Sequence, residues 1–178
     1  TKIKDHKFGL QKIAKTLLDN EVGVIKTVEE IDAVGHRVVH GGSKFSKTAL
    51  ATKDVKKNIR ELFDLAPLHN PANLMGIEIA ETIFSSAKQI AVFDTTYHQT
   101  MPKKAFQYSI PKSFLEDHKI RAYGFHGTSH KYVAEKAIDY LGKQESEKII
   151  TIHLGNGSSI SAIKDGKCID TSLGLGPA

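Results

Sequence analysis

Five residues carry the charge and hydrogen-bonding chemistry that an enzyme acting on an anion needs: Arg37, His69, Asp94, His126 and Asn156. They form a set of cationic and neutral donors with one carboxylate. Phosphoryl transfer calls for such a set, because it needs little covalent chemistry and much positioning of donors around charged equatorial oxygens. Arg37 lies in an apolar run, Ala33-Val-Gly-His-Arg-Val-Val39, that breaks into His40-Gly-Gly42. A guanidinium inside a buried strand is costly when unpaired, so Arg37 either faces an anionic substrate or pairs with a carboxylate. Asp94 closes a second apolar run, Gln89-Ile-Ala-Val-Phe93. A carboxylate where a strand of an α/β sheet ends lies in a cleft, where it holds an arginine, binds a metal or acts as a base. The alternative is a turn cap formed with Thr95 and Thr96.

The other candidates sit on turns. His69 stands between Pro67 and Pro71, before a helix that Asn70 is expected to cap. A helix start suits anions, although a loop histidine also serves as a local hydrogen-bonding group. His126 occupies Gly124-Phe-His-Gly127, where backbone donors and imidazole can converge on an oxyanion. Gly155-Asn-Gly-Ser-Ser159 joins two strands and can cradle a phosphate, but Gly-Asn-Gly also makes ordinary hairpins. It is neither a Walker A loop nor a dinucleotide fingerprint.

Other chemistries fit less well. Nine histidines invite a metal, yet His36 and His40 are four apart on a strand, about 13 Å, too far to share one zinc. His126 and His130 can share a helix face but lack a His-Glu-x-x-His or cysteine partner. No metal-ligating residues are expected. There is no Gly-x-Ser-x-Gly elbow, and the one cysteine, Cys168, falls on a hairpin strand, so no serine or cysteine nucleophile is expected.

The elements that must position these residues follow from periodicity. Residues 1–20 read as a helix with Leu10, Ile13, Leu17 and Leu18 on one face. A helix over 54–64, capped by Thr52 or Asp54, presents Val55, Ile59, Leu62 and Phe63. The helix after Pro71 runs to about Ser85 with Leu74, Ile77, Ala80 and Phe84 inward. Thr128 or Ser129 is expected to cap a helix with Val133, Ala137, Ile138 and Leu141 inward, stopped by Gly142. Lys148–Leu154 is a strand, and Asp165-Gly166 turns a hairpin. Strands and helices together make an α/β chain, with a boundary near Thr96–Thr100.

Composition bounds the rest. Of 178 residues, 40% are hydrophobic and 25% charged, ordinary for a globular protein. The net charge of +5 rests on scattered lysines with only three arginines, and no basic run is interleaved with aromatics. A solvated lysine surface is expected rather than a nucleic-acid site. No apolar run approaches the ~20 residues of a membrane helix, and the single cysteine fits a reducing cytoplasm. The chain opens on Thr1, so it is expected to be processed, trimmed or cut from something longer.

Five blocks, in order, resemble the acetate kinase family: Gly35-His-Arg-Val-Val-His-Gly-Gly42, Pro67-Leu-His-Asn-Pro71, Val92-Phe-Asp-Thr-Thr-Tyr-His98, Tyr123-Gly-Phe-His-Gly-Thr-Ser-His130 and His153-Leu-Gly-Asn-Gly-Ser-Ser159. The resemblance implies reversible phosphorylation of acetate by Mg-ATP, giving acetyl phosphate and ADP. It implies part of the two-domain sugar-kinase/Hsp70/actin-like (ribonuclease H-like) fold: residues 1–96 as the later part of the first domain, 97–178 as the opening of the second, nucleotide-binding one. By the same resemblance, Arg37 and His126 stabilise the transferring group, and Asp94 is the cleft carboxylate that orients an arginine or the metal. His69 lines the acyl end. Val39, Leu68, Phe125 and Pro177 form the methyl pocket, and His153, Leu154, Gly155, Asn156 and Gly157 bind the ATP phosphates. The partners implied are acetate and ATP, with a homodimer for the full-length protein and neither nucleic acid nor membrane. The family's opening phosphate loop, second catalytic arginine, adenosine segment and magnesium-ligand glutamate have no counterpart here. An incomplete kinase is therefore expected. A propionate or short-chain acyl kinase, or an inactive acyl-binding fragment, is the alternative.

Overall fold

The computed structural model describes residues 3–176; Pro177, expected in the methyl pocket, lies outside them. The first helix, α1 (His6–Leu17), is capped by Asp5, whose carboxylate accepts from the Phe8 N–H at 2.7 Å. It buries Ala14 and half-buries Leu10 and Leu17, while Ile13 is 56% exposed rather than inward. Strand β1 (Ala33–Val38) follows, then β2 (Ala49–Leu50) and α2 (Lys53–Glu61). Thr52 caps α2, its hydroxyl accepting from Val55 N–H at 3.3 Å. Helix α3 (Asn70–Ile83) leads into β3 (Lys88–Phe93).

These three strands make one sheet in the order β1-β3-β2. β1 and β3 are parallel, with Arg37 opposite Val92 and Val38 opposite Phe93; β2 is antiparallel to β3. Helices α2 and α3 form the crossover that parallel strands require. They bury Val38, Ile59, Leu74, Ile77, Ala91 and Phe93 in one cluster. Only one face of β1 is covered. Val34, His36 and Val38 turn inward, whereas Ala33, Gly35 and Arg37 are exposed. Arg37 therefore does not lie in a strand buried on both faces, as the apolar run suggests.

Past the 3₁₀ turn Thr96–Thr100 come two short helices, α4 (Lys103–Phe106) and α5 (Lys112–Glu116), then α6 (Gly127–Leu141). The second sheet is an antiparallel meander of β4 (Lys148–Leu154), β5 (Ser158–Lys164) and β6 (Lys167–Thr171). Asp165 and Gly166, with φ of 50° and 75°, turn its hairpin in the left-handed region that such turns need. Helix α6 buries Gly127, His130 and Ala134; Val133 and Leu141, expected inward, are each 45% exposed. The sheet is apolar on its outer side, where Ile150, Ile152, Leu154 and Ile160 are 47–80% exposed. Its inner face carries Thr151, His153, Ser159 and Ser161, with Ile149, Ile163 and Cys168 as its apolar part. No helix among the described residues is long and apolar enough to cross a membrane.

Ile77 is fully buried between α3 and the first sheet, so Ile77→Ala should cost about 2–5 kcal/mol in urea unfolding. Tyr140→Ala, at a side chain 89% exposed, should stay within about 0.5 kcal/mol.

Candidate active site

Parallel pairing places the ends of β1 and β3 side by side, and Arg37 and Asp94 project from them on the same face. Arg37 Nε donates to Asp94 Oδ1 at 2.9 Å and Nη2 to Oδ2 at 2.7 Å. The carboxylate side chain is 1% exposed and the guanidinium 62%. Of the two readings of Arg37, the carboxylate pair is realised, but with the carboxylate as the buried member. Only two of five guanidinium N–H donors are used in it, and the rest face the open side. Hydrogen bonding to Asp94 raises the Arg37 pKa still further. Asp94 does not cap a turn with its own threonines. Thr95 Oγ1 accepts from Gly41 N–H instead.

Behind Arg37 the Gly-Gly turn is pinned from α3. Asn73 Oδ1 accepts from Val39 N–H at 3.0 Å. Asn70 accepts from His40 N–H and donates to the His40 carbonyl, at 3.0 and 2.9 Å. The Asn70 side chain therefore ties helix to strand and does not cap α3; His69 is the cap residue. A Cβ at Gly41 would meet the Phe93 ring at 2.9 Å, so the turn packs flat on that ring.

Asp94 also sets the start of α6. Its Oδ2 accepts from His126 N–H at 3.3 Å and its carbonyl from Gly127 N–H at 3.0 Å. A Cβ on Gly127 would lie 2.1 Å from that carbonyl oxygen, so only glycine allows the approach. His126, not Thr128 or Ser129, is the cap residue, held left-handed at φ 57°. Non-glycine residues adopt this conformation when the surroundings over-determine it. The His126 ring stacks on His153 at 4.1 Å, and its Nδ1 lies 2.9 Å from Ser159 Oγ. Burial, then the neighbouring His153, lowers the His126 pKa against an opposing pull from Asp94, so the ring is neutral at pH 7.

Arg37, Val39, His69, Asp94, His126, Asn156 and Gly157 line one cavity of about 320 Å³. Four elements and two turns thus converge a guanidinium, two imidazoles and an amide around a space sized for a small anion, with Val39 as apolar wall. A larger cavity of about 470 Å³ has lysines at its rim but contains none of these donors.

Some expected residues fall elsewhere. Leu68 is 85% and Leu154 80% exposed, and neither belongs to this lining. Phe125 is fully buried behind Val39, with Tyr123. Gly155 gives its N–H to the Gly157 carbonyl within the turn. His153 contributes by stacking. Cys168 is fully buried, and burial pushes its thiol up to about 11, away from nucleophilic use. Sequence reasoning missed Ser159, Thr151 and the packing of His130; the four-residue spacing of His126 and His130 was the available signal. No group of three His, Cys, Asp or Glu among the described residues is placed to hold a metal.

The Acetokinase family profile matches residues 1–178. An acetate kinase of Flavobacterium johnsoniae is 65% identical over 176 residues, covering 99% of this chain and 44% of that protein. A crystal structure of Porphyromonas gingivalis acetate kinase matches with a TM-score of 0.92 at 47% identity, covering 99% of this chain and 45% of that one. A structure described as a propionate kinase from Francisella tularensis matches at 0.89 and 47%, covering 97% and 44%. The chain thus spans less than half the length of these relatives.

Burial pushes His40, His98 and His130 each down to about 4. Their unfolded value is near 6.5, so the unfolded state binds more protons between about 4 and 6.5. Stability should be level above that window and fall as pH drops through it, by up to about 1.4 kcal/mol per pH unit per group. Urea midpoints at pH 7.5, 5.5 and 4.5 check this, and His40→Leu should flatten the slope.

Proposed function

Because the chain belongs to the acetokinase family, we propose that it carries the acyl and phosphoryl side of a cleft in which ATP phosphorylates acetate, reversibly, to acetyl phosphate and ADP. Its two sheets are part of the sugar-kinase/Hsp70/actin-like fold. The observation that carries the reading is the single cavity joining the Arg37–Asp94 pair, His126, Asn156 and the apolar Val39.

In this reaction an acetate oxygen forms a bond to the γ-phosphorus, and the bond to the bridging oxygen of ADP breaks. Acetate is already ionised at neutral pH, so no proton must be removed and no general base is needed. Asp94 fits that economy. Both its oxygens are engaged by Arg37, so it acts as a positioning group. The remaining Arg37 donors attract the acetate carboxylate and the equatorial phosphoryl oxygens. His126 adds a neutral donor, Val39 takes the methyl group, and His69 closes the acyl end. Asn156 and Gly157 face the phosphates. ATP is the donor on this reading, but the residues present do not make a magnesium site. Both Asp94 oxygens accept from Arg37, and among the described residues no group of three His, Cys, Asp or Glu is placed to hold a metal. The division into domains falls between residues 96 and 97. The packing of the Thr96–Thr100 turn on β6 and α6 supports it.

A propionate-preferring kinase is the second reading, favoured by the resemblance to the Francisella tularensis structure. One methylene shifts such discrimination by about 1–3 kcal/mol, so the wall at Val39 governs the choice.

Hydroxamate trapping of acyl phosphate tests the proposal, on the chain alone and on the chain extended to its relatives' length. The chain alone should show no turnover above its Arg37→Ala background. The extended protein should turn over, with Arg37→Ala slowing it about 10³-fold or more. An extended protein that phosphorylates neither acetate nor propionate, or is indifferent to Arg37, overturns the reading. Arg37-dependent turnover by the chain alone overturns its incompleteness.

A further inference from the structure

Behind His126 runs a line of hydrogen bonds that the chemistry above does not use. His126 Nδ1 is 2.9 Å from Ser159 Oγ, the same oxygen is 2.7 Å from His130 Nε2, and His130 Nδ1 is 2.7 Å from Thr151 Oγ1. Ser159, His130 and Thr151 are all buried, at 2%, 1% and 2% exposure. Ser159 has one hydroxyl proton and can give it to only one of its two imidazole neighbours, so the other imidazole must donate to it. His130 is neutral at pH 7, because burial, then His98, His126 and His153, pushes it down to about 4. A neutral imidazole carries one ring proton. The line is therefore polarised: every group donates toward His126, or every group donates away from it.

Thr151 decides the direction. Its hydroxyl has no other hydrogen-bond partner among the described residues. Were His130 to donate to it, the Thr151 proton would be buried without an acceptor, at a free-energy cost. With Thr151 donating, the buried protons of Thr151, His130 and Ser159 each find an acceptor, and the one N–H left over is that of His126, at the cavity. We infer that Thr151, His130 and Ser159 form a one-way hydrogen-bond chain that holds His126 as the Nε2–H tautomer and presents that N–H to the cleft. Nδ1 being taken by Ser159, Nε2 is the ring nitrogen on the Gly157 side, where a Cβ would approach it to 3.3 Å.

The consequence rests on the phosphoryl-transfer reading. A fixed neutral donor needs no reorientation as charge builds on an equatorial oxygen. The titratable groups facing His126 are Asp94 and Arg37 from the strand ends, His153 from β4, His130 from α6 and His98 from the 3₁₀ turn. Asp94 is the one that favours the charged ring, and burial with His153 and Arg37 outweighs it. Ser159, His130 and Thr151 are positioning residues, since none of them lines the cavity.

A two-bond ¹H–¹⁵N correlation spectrum of the ¹⁵N-labelled chain at pH 7.5 reads which ring nitrogen of each histidine is protonated. It requires no turnover, so its outcome is separate from that of the kinase reading. The expected result is a proton on Nε2 of both His126 and His130, with Nδ1 of each at the shift of a hydrogen-bonded acceptor. Ser159→Ala should move His126 Nδ1 off that value and mix its tautomers, while the backbone amide spectrum stays dispersed. Thr151→Val, nearly isosteric, should do the same at His130 and, through Ser159, at His126. A wild-type His126 protonated on Nδ1 overturns the polarity. Ring shifts of His126 unmoved in the folded variants overturn the chain of bonds. If Ser159→Ala does not fold, Thr151→Val and the wild-type spectrum decide.

Discussion

A carboxylate that is 1% exposed at the end of a strand must be satisfied by its neighbours, and Asp94 is satisfied from two directions at once. From the first sheet comes the Arg37 guanidinium, in two parallel bonds. From the second half of the chain comes the His126 N–H, and one atom further back the Asp94 carbonyl takes the Gly127 N–H. One residue therefore fixes both the guanidinium of the cleft and the first turn of the helix that presents its imidazole. The geometry resists substitution: losing either carboxylate oxygen of Asp94 forfeits the fork, and any side chain on Gly127 collides with the carbonyl. Because the guanidinium lies on the open face of β1, the pair orients Arg37 without burying it, and most of its donors stay available to an anion.

At the end of the second sheet nearest the cleft the usual arrangement is reversed, with hydroxyls and an imidazole inside and Ile150, Ile152 and Ile160 outside, while Ile149 and Ile163 keep the far end of the inner face apolar. Register explains this. Thr151 pairs with Ser161 and His153 with Ser159 on the inner face, while Ile152 pairs with Ile160 on the outer. A polar layer under α6 is tolerable only if its groups are mutually satisfied. Ser159, His130 and Thr151 meet that condition, and His98 bridges Cys168 Sγ and the Phe125 carbonyl. A contiguous apolar outer face of this kind marks a surface that something covers. The relatives, more than twice as long, have the polypeptide to do so.

The elements were legible where one periodicity ruled. Helix α3, with Leu74, Ile77, Ala80 and Phe84 inward, and the hairpin at Asp165-Gly166 follow from local pattern alone. Local pattern failed where a long-range contact competed. Asn70 has the composition of a cap, yet the His40 backbone, thirty residues away, claims its amide. Thr128 and Ser129 read as caps, but the Asp94 carbonyl draws the helix start back to Gly127. Val133 and Leu141 have helical spacing, yet the sheet beneath α6 offers a polar surface and takes His130. In the site, residue types point to Arg37, His69, Asp94, His126 and Asn156 as one constellation, and the structure brings these five to one cavity. Leu68 and Leu154 were carried by motif alone, and no geometry places them there.

The left-handed backbone of His126 links these observations. A histidine at φ 57° is held against its preference, and the holding forces are visible: Gly124 at φ 75° before it, Gly127 against Asp94 after it, and the Asp94 carboxylate on its N–H. In a right-handed cap the ring would swing away from Ser159 and His153. The strain is thus what places the imidazole between the polar layer and the cleft, with one nitrogen turned to each. A looser turn would relieve the backbone and lose that division, so the tightness of Gly-Phe-His-Gly is better understood as positioning the ring than as stabilising the fold.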